Sequence, residues 1–347
     1  MYNVSCRLME MKKRLSKIIP FIITVFFTVL VIYKVNWTEI ADTFGLLNPK
    51  YLLILFPSIL IIMAFRAIRW NILLPKHNCP LYTLYEIYLT SNLLNIFLPA
   101  RGGDIFRGCY FGHKYNLSKL NVLGTVAAER IFDGLTVLAM LLIGIILHNK
   151  SEIAVHLAIS AAVLFVFSFL FMLWVYKYKK IDALCNFAKK IFAYLPQTIG
   201  GKLINIIDKI QPYLDSFITG FESFANPKTL FKAALLSVIA WGTDCIFIYT
   251  LILAFGIKVS FLVTLFILSF IALSTIIPSS SMYVGLYQYA FILASEIFGI
   301  DKSSAFALSI MQQGLLLFSY FFIFIIFVIR NNVKLDDIKK DTKSEGK

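Results

Sequence analysis

Residues 92–111 read NLLNIFLPARGGDIFRGCYF, and residues 124–135 read GTVAAERIFDGL. Arg101, Asp104, Arg107, Glu129, Arg130 and Asp133 therefore lie inside or beside segments apolar enough to span a bilayer. A charge near the bilayer centre costs about 2.5–3.5 kcal/mol on insertion scales, so such side chains face a cavity or one another. Pro99 and the Gly102–Gly103 pair also interrupt any helix at this point. Broken backbone at membrane depth is tolerated only where protein buries it or a water-filled cavity adjoins it. The stretch predicts a broken membrane helix that carries a polar site.

The surrounding composition agrees. Of 347 residues, 59% are hydrophobic and 15% charged, against about 25% charged in an ordinary soluble domain. The mean hydropathy is +0.79. The chain reads as an all-α, polytopic membrane helical bundle. A net charge of +14 raises a nucleic-acid partner, which we reject: the basic residues flank apolar segments, where the cytoplasmic bias of Lys and Arg accounts for them. Membrane lipids are the partner that such charges imply. Cys6, Cys79, Cys109, Cys185 and Cys245 are scattered without a CxxC or a histidine at ligand spacing, which argues against metal and redox roles. No Walker loop, GxSxG elbow or HExxH is present, so the expected protein needs no cofactor and has no catalytic motif. Asp336–Asp337 sits in the tail, away from any membrane site.

Apolar runs near 18–34, 51–70, 120–147, 153–176, 230–255, 261–277, 284–299 and 305–329 predict about eight crossings at roughly 20 residues each. Lys12, Lys13, Arg14 and Lys17 precede the first of them, and no small-residue cleavage site follows, which predicts an uncleaved span after a cytoplasmic basic N-terminus, 1–17. The stretch 82–98 contains Glu86, Ser91, Asn92 and Asn95 and ends at Pro99. If it re-enters from the cytoplasm, segments 1–17, 66–119, 177–229 and 330–347 lie inside with 26 of the 33 Lys and Arg. That asymmetry favours a re-entrant 82–98, both termini in the cytoplasm and a location in the cell (inner) membrane. The transmembrane body would then run 18–329, with an amphipathic cytoplasmic insertion at 178–228 and a charged tail at 330–347. In that insertion Leu203, Ile206, Ile207, Ile210, Leu214, Phe217, Ile218 and Phe221 recur at helical spacing, as for a helix in the interface or against the bundle.

A weak internal echo accompanies this order. Asn95–Pro99 precedes Arg101–Asp104, and Thr275–Pro278 precedes Ser279–Gly285. Each is an apolar approach to a proline, then small or polar residues, then an aromatic run, the pattern of an inverted repeat with paired broken helices.

Within the charged cluster, Glu129 and Asp133 share a helix face, and Arg130 stands three residues from Asp133. Two readings stay open. The charges neutralise one another and lock the bundle, or they form a substrate site. On the second reading Arg101, Arg107 and the amides of Gly102 and Gly103 hold a phosphate. Asp104, Glu129 and Asp133, with Arg130, orient those arginines or meet a cationic headgroup. Asn92 and Asn95 approach from the preceding segment. Arg66, Arg69 and Trp70 read as an interfacial anchor or as the entrance for anionic headgroups. Pro278, Ser279, Ser280, Tyr283, Gly285 and Gln288 are the neutral second-half candidates.

These residues in this order resemble the lysylphosphatidylglycerol synthase transmembrane family of flippase-like proteins. The resemblance rests on Arg66, Arg69 and Trp70; Asn92, Pro99, Arg101, Gly103, Asp104 and Arg107; Glu129, Arg130 and Asp133; and Pro278, Ser279 and Gly285. It covers most of the chain, and departs from the family pattern at Ser280–Ser281–Met282, where more glycine is expected. It implies a domain that moves lipid between leaflets, joined in the multiple peptide resistance factor proteins to a soluble aminoacyl transferase. This chain would be a stand-alone member moving a phosphate-bearing lipid, such as aminoacyl-phosphatidylglycerol or a polyprenyl-phosphate-linked glycolipid. Two alternatives remain open: a membrane-embedded transferase, and a scaffold for a separately encoded lipid-modifying enzyme docked on 178–228. Nothing in the sequence specifies an oligomer.

Overall fold

The computed structural model describes residues 22, 24–33, 36–98, 101–148, 152–178, 181–275 and 283–331. The basic N-terminus 1–17, nearly all of the tail, Pro99, Pro278, Ser279 and Ser280 lie outside the described residues. Among the described residues the fold is entirely helical: α1 (Thr24–Tyr33), α2 (Trp37–Gly45), α3 (Leu52–Leu73), α4 (Leu81–Phe97), α5 (Gly102–Lys114), α6 (Lys119–His148) and α7 (Glu152–Tyr178), then α8 (Ile181–Ala193), α9 (Gln197–Thr219), α10 (Pro227–Ala254), α11 (Phe261–Ser274), α12 (Leu286–Glu296) and α13 (Lys302–Asn331).

Helix starts follow local chemistry. Asn226 accepts from the Lys228 amide at 3.0 Å to cap α10, and Pro227 fills its first position, where proline's missing donor costs nothing. Pro80 precedes α4 in the extended conformation.

Each apolar run in the sequence corresponds to one helix, but the count of about eight crossings changes. Three described helices, α3, α10 and α13, are by themselves long and apolar enough to cross, or four if the bent α1–α2 pair is one span. α6 has the length, 30 residues, but Glu129, Arg130 and Asp133 interrupt its apolar run. The runs expected at 261–277 and 284–299 become helices of 14 and 11 residues. At 1.5 Å per residue these reach only about 21 and 16 Å, short of the roughly 30 Å hydrocarbon layer. They form a pair of short helices like α4 and α5, which have 17 and 13 residues.

The halves correspond in their contacts. α3 packs on α10; α4 packs on α13 as α11 packs on α6; α5 lies against α4 and α6 as α12 lies against α11 and α13. Exchanging α3–α6 for α10–α13 thus leaves the same neighbours in contact. The corresponding helices α3 and α10 run in opposite directions. The Asn48 amide at the start of α3 donates to the Ala254 carbonyl at the end of α10, 2.9 Å, and further along Arg66 meets Asp244.

The insertion is a helical hairpin. α9 packs on α8 and on α6. Its apolar stripe divides: Leu203, Ile207, Phe217 and Ile218 are half-buried, whereas Ile206, Ile210 and Leu214 are exposed.

Candidate functional site

The charged residues of α3, α5 and α6 close into a ring of alternating sign. Arg69 donates to Glu129 at 2.9 Å, and Glu129 accepts from Arg107 at 2.8 Å. Arg107 reaches Asp104 at 3.4 Å, and Asp104 faces Arg130 at 3.2 Å. Arg130 faces Asp133 at 3.3 Å, and Asp133 returns to Arg69 at 2.7 Å. Three arginines and three carboxylates cancel. Beside the ring, Arg66 pairs with Asp244 of α10 at 2.5 Å.

Local sequence explains the ring's shape. Glu129 and Asp133 are one turn apart on α6, so both carboxylates face α3, where Arg69 bridges them. Arg107 lies one turn after Asp104 on α5. Neutral groups complete the shell. Tyr88 donates its hydroxyl to Glu129 at 3.0 Å, Trp241 donates its indole N–H to Asp133 at 2.9 Å, and Ser237 accepts from Arg69 at 2.6 Å. The Arg107 guanidinium lies over the Trp70 ring at 4.4 Å and the Tyr88 ring at 4.5 Å, a cation–π arrangement that strengthens when desolvated.

The ring has a sealed side and an open one. The side chains of Arg69 and Glu129 are fully buried, while Arg130 is 26% exposed and Asp104 12%. The longest links, 3.2–3.4 Å, all involve Asp104 or Arg130. The open side therefore lies toward the α4–α5 break. Deeper in, Arg107 Nε and Nη1 are buried without a hydrogen-bond partner.

At the break, Asn95 holds the start of α5 from α4. Its carbonyl oxygen accepts from the Asp104 amide at 3.0 Å, and its NH2 donates to the Asp104 carboxylate at 3.2 Å. Ser91 donates to the Gly103 carbonyl at 2.8 Å. A Cβ at Gly103 would stand 2.0 Å from the Ser91 carbonyl oxygen, so this glycine permits close contact between α4 and α5. Arg101 is the N-cap of α5 with a left-handed φ of 56°, and its side chain is exposed. Among the described residues it makes no ion pair and no hydrogen bond.

Several sequence expectations shift in place. Arg66, Arg69 and Trp70 are internal rather than interfacial, with Arg69 and Trp70 fully buried, and ion pairs to Asp244, Glu129 and Asp133 engage both arginines. Asn92 donates to the Tyr88 carbonyl of its own helix and stands apart from the charges. In the second half, Tyr283 (φ 52°) and Gly285 (φ 82°) form the turn into α12. Gln288 accepts from the Gly285 amide at 2.7 Å and donates to Gln313. None of these second-half groups joins the ring. Asp244, Ser237 and Trp241 escaped the sequence reading. A lone aspartate within the apolar 230–255 run was the available signal, since an ionisable group at membrane depth needs a partner. Among the described residues no cluster of His, Cys, Asp or Glu is suited to a metal.

Residues 17–326 match the family model described as the lysylphosphatidylglycerol synthase TM region. The chain is similar to a UPF0104 membrane protein of Methanocaldococcus jannaschii, 25% identical over 73% of this chain and 98% of that one. It is also similar to a UPF0104 membrane protein of Pyrococcus horikoshii, 24% identical over 82% of this chain and 89% of that one. No solved structure matches.

Proposed function

The chain belongs to the lysylphosphatidylglycerol synthase TM region family, a family of multi-pass membrane proteins, and from that premise we propose that it translocates a phosphate-bearing lipid between leaflets. The observation that carries the reading is the charge ring at a helix break, sealed on one side and open toward Arg101 on the other. A structural lock alone needs no opening; a headgroup site does. Arg101 meets the headgroup phosphate at the mouth, and Asp104 and Arg130, whose ring links are long, exchange partners as it enters. Screening the headgroup's charge within protein lowers the cost of carrying it past hydrocarbon, while the acyl or prenyl tails stay in lipid.

On this reading α1, α3, α6, α7, α10 and α13 cross the membrane, α4–α5 re-enters from the cytoplasm, and α11–α12 re-enters from the opposite side. The halves are then inverted, with both termini cytoplasmic. The opposed directions of α3 and α10 support the inversion. So does the 2.7 Å pair between Arg330, at the end of α13, and Glu86, near the start of α4, because it puts those two ends on one side. Paired broken helices in inverted halves are the framework of alternating access. The family resemblance points to aminoacyl-phosphatidylglycerol or a polyprenyl-phosphate glycolipid as cargo, supplied by a separately encoded enzyme.

The test is leaflet exchange of fluorescent phospholipids and polyprenyl phosphates in liposomes carrying the purified protein, with Arg101→Ala as the comparison. Because Arg101 is exposed and unpaired, the variant should elute and melt like the native protein while exchange falls at least about tenfold, as expected for losing a charge-assisted phosphate contact. Native protein that moves no lipid would end this reading in favour of an enzyme or scaffold role.

A further inference from the structure

The hairpin α8–α9 carries one sequence pattern twice. Leu184, Asn186, Lys190, Ile191, Tyr194 and Leu195 recur at a constant offset of 19 residues as Leu203, Asn205, Lys209, Ile210, Tyr213 and Leu214. We infer that the two copies build one membrane-facing surface, by which the hairpin lies on the anionic cytoplasmic leaflet. The inference rests on the topology proposed above, in which α7 crosses the membrane and the hairpin is cytoplasmic, and not on lipid translocation.

At about 100° per residue, Phe187, Ile191, Tyr194 and Leu195 form one stripe of α8, and Ile206, Ile210, Tyr213 and Leu214 form the matching stripe of α9. All eight side chains are exposed. The two helices meet along a different edge. Leu184 and Cys185 pack with Ile207, Lys189 pairs with Asp208 at 2.6 Å, and Gln211 donates to Asp182 at 2.7 Å. The partner of the later residue on α8 is the earlier one on α9, so the helices run antiparallel. On each helix the stripe stands about 115° from the contact edge, in the same rotational sense. Antiparallel helices with stripes of one rotational sense turn them to the same side of the pair. The hairpin therefore has a single apolar face.

Lipid is the occupant that fits this face. Lys190, Lys202 and Lys209 are exposed and border the stripes, whereas Asp182, Asp208 and Asp215 lie on the opposite side. Lysine and tyrosine at the margin of an apolar face suit an anionic membrane interface. The face also continues a contact with the bundle. Phe217, next on the α9 stripe, packs on Phe221 at 5.8 Å and on the cluster containing Ala128 and Phe132 of α6. There the two backbones touch: a Cβ at Gly124 would strike the Phe217 carbonyl oxygen, and one at Gly220 the Asn121 carbonyl oxygen. The α9 stripe thus leaves the bundle turned the way Phe217 is turned, toward the membrane helices. At the other end only Lys179 and Lys180 separate α8 from α7, so the hairpin starts at the level where α7 ends.

The experiment places a fluorophore on the full chain in nanodiscs that hold one copy each, made of phosphatidylglycerol or of phosphatidylcholine. Ile191→Cys and Ile210→Cys label the face, and Asn186→Cys and Asn205→Cys label the polar side, in a background whose native cysteines are alanine and which melts like the native protein. A nitroxide lipid labelled near its headgroup should quench the face probes at least about threefold more than the polar-side probes, as for a face buried just below the headgroups. Quenching should be stronger in phosphatidylglycerol, and Lys190→Gln/Lys202→Gln/Lys209→Gln should remove that difference without changing the melting temperature. Hydrogen exchange on the unlabelled native chain is the second readout: segments 187–195 and 206–214 should exchange more slowly in phosphatidylglycerol discs. Face probes reached by aqueous iodide instead of the lipid nitroxide would overturn the proposal and leave the face to a soluble partner or a second copy. Equal quenching and equal exchange in the two lipids would overturn the preference for an anionic leaflet. Labelling of Asn205→Cys from outside intact cells by an impermeant maleimide would overturn the cytoplasmic placement, and the inference with it. None of these outcomes depends on whether the protein moves lipid.

Discussion

The two broken helix pairs share their packing and differ in their chemistry. α4–α5 and α11–α12 occupy corresponding positions, each wedged between the long helices of both halves. Both second helices begin at a left-handed residue, Arg101 in one and Gly285 in the other. The first pair meets six charges in a ring; the second meets Gln288 and Gln313, joined at 2.7 Å, and its ion pair, Glu296 with Lys302, lies partly exposed at the far end of α12. Packing symmetry is thus compatible with a site built in one half alone. Helix–helix contact depends on size and spacing, whereas charge placement depends on single residues. The glycines differ likewise. Gly103 lets α5 approach α4, while Gly285 faces α1, where an added Cβ would stand 2.6 Å from the Thr28 amide nitrogen.

The sharpest way to break the comparison is at Glu129. Glu129→Leu strands Arg69 and Arg107 without their shared carboxylate, and removing one partner of a buried pair costs about 3–5 kcal/mol. We expect loss of folded protein or a large fall in melting temperature, followed in nanodiscs. Asp244→Leu alone should destabilise by a similar amount, about 3 kcal/mol, but the double variant Arg66→Leu/Asp244→Leu should recover most of it, because replacing both partners with apolar groups is often neutral. A double variant no better than the single would give that pair a role beyond mutual neutralisation. In the second pair, Gly285→Ala meets both a positive φ and a close neighbour, so it should cost about 1–3 kcal/mol. Gln288→Ala, which removes two neutral hydrogen bonds, should cost about 1–2 kcal/mol. Finding it as damaging as Glu129→Leu would erase the distinction between the halves. Arg101→Ala should have the smallest effect on stability, within about 0.5 kcal/mol as for other exposed positions, and the largest selective effect on lipid exchange.

The sequence by itself determined the membrane class, the helical segments and an interruption between α4 and α5, although Gly102 and Gly103, expected to break the helix, instead open α5. Apolar length, proline and glycine act locally, within a turn or two of where they stand. It also marked Arg101, Asp104, Arg107, Glu129, Arg130 and Asp133, because charge at membrane depth is conspicuous wherever it occurs. Only the tertiary structure decided which charges cancel. Arg69 finds Glu129 60 positions away and Arg66 finds Asp244 178 positions away, and no local spacing encodes such partners. It also showed that α11 and α12, in the run 261–299, have 14 and 11 residues, each too short to span the hydrocarbon alone. An ion pair is chosen by which helices meet in space, so the neutrality of the ring, and the pairing of Arg66 with Asp244 beside it, emerge only when α3, α5, α6 and α10 are brought together.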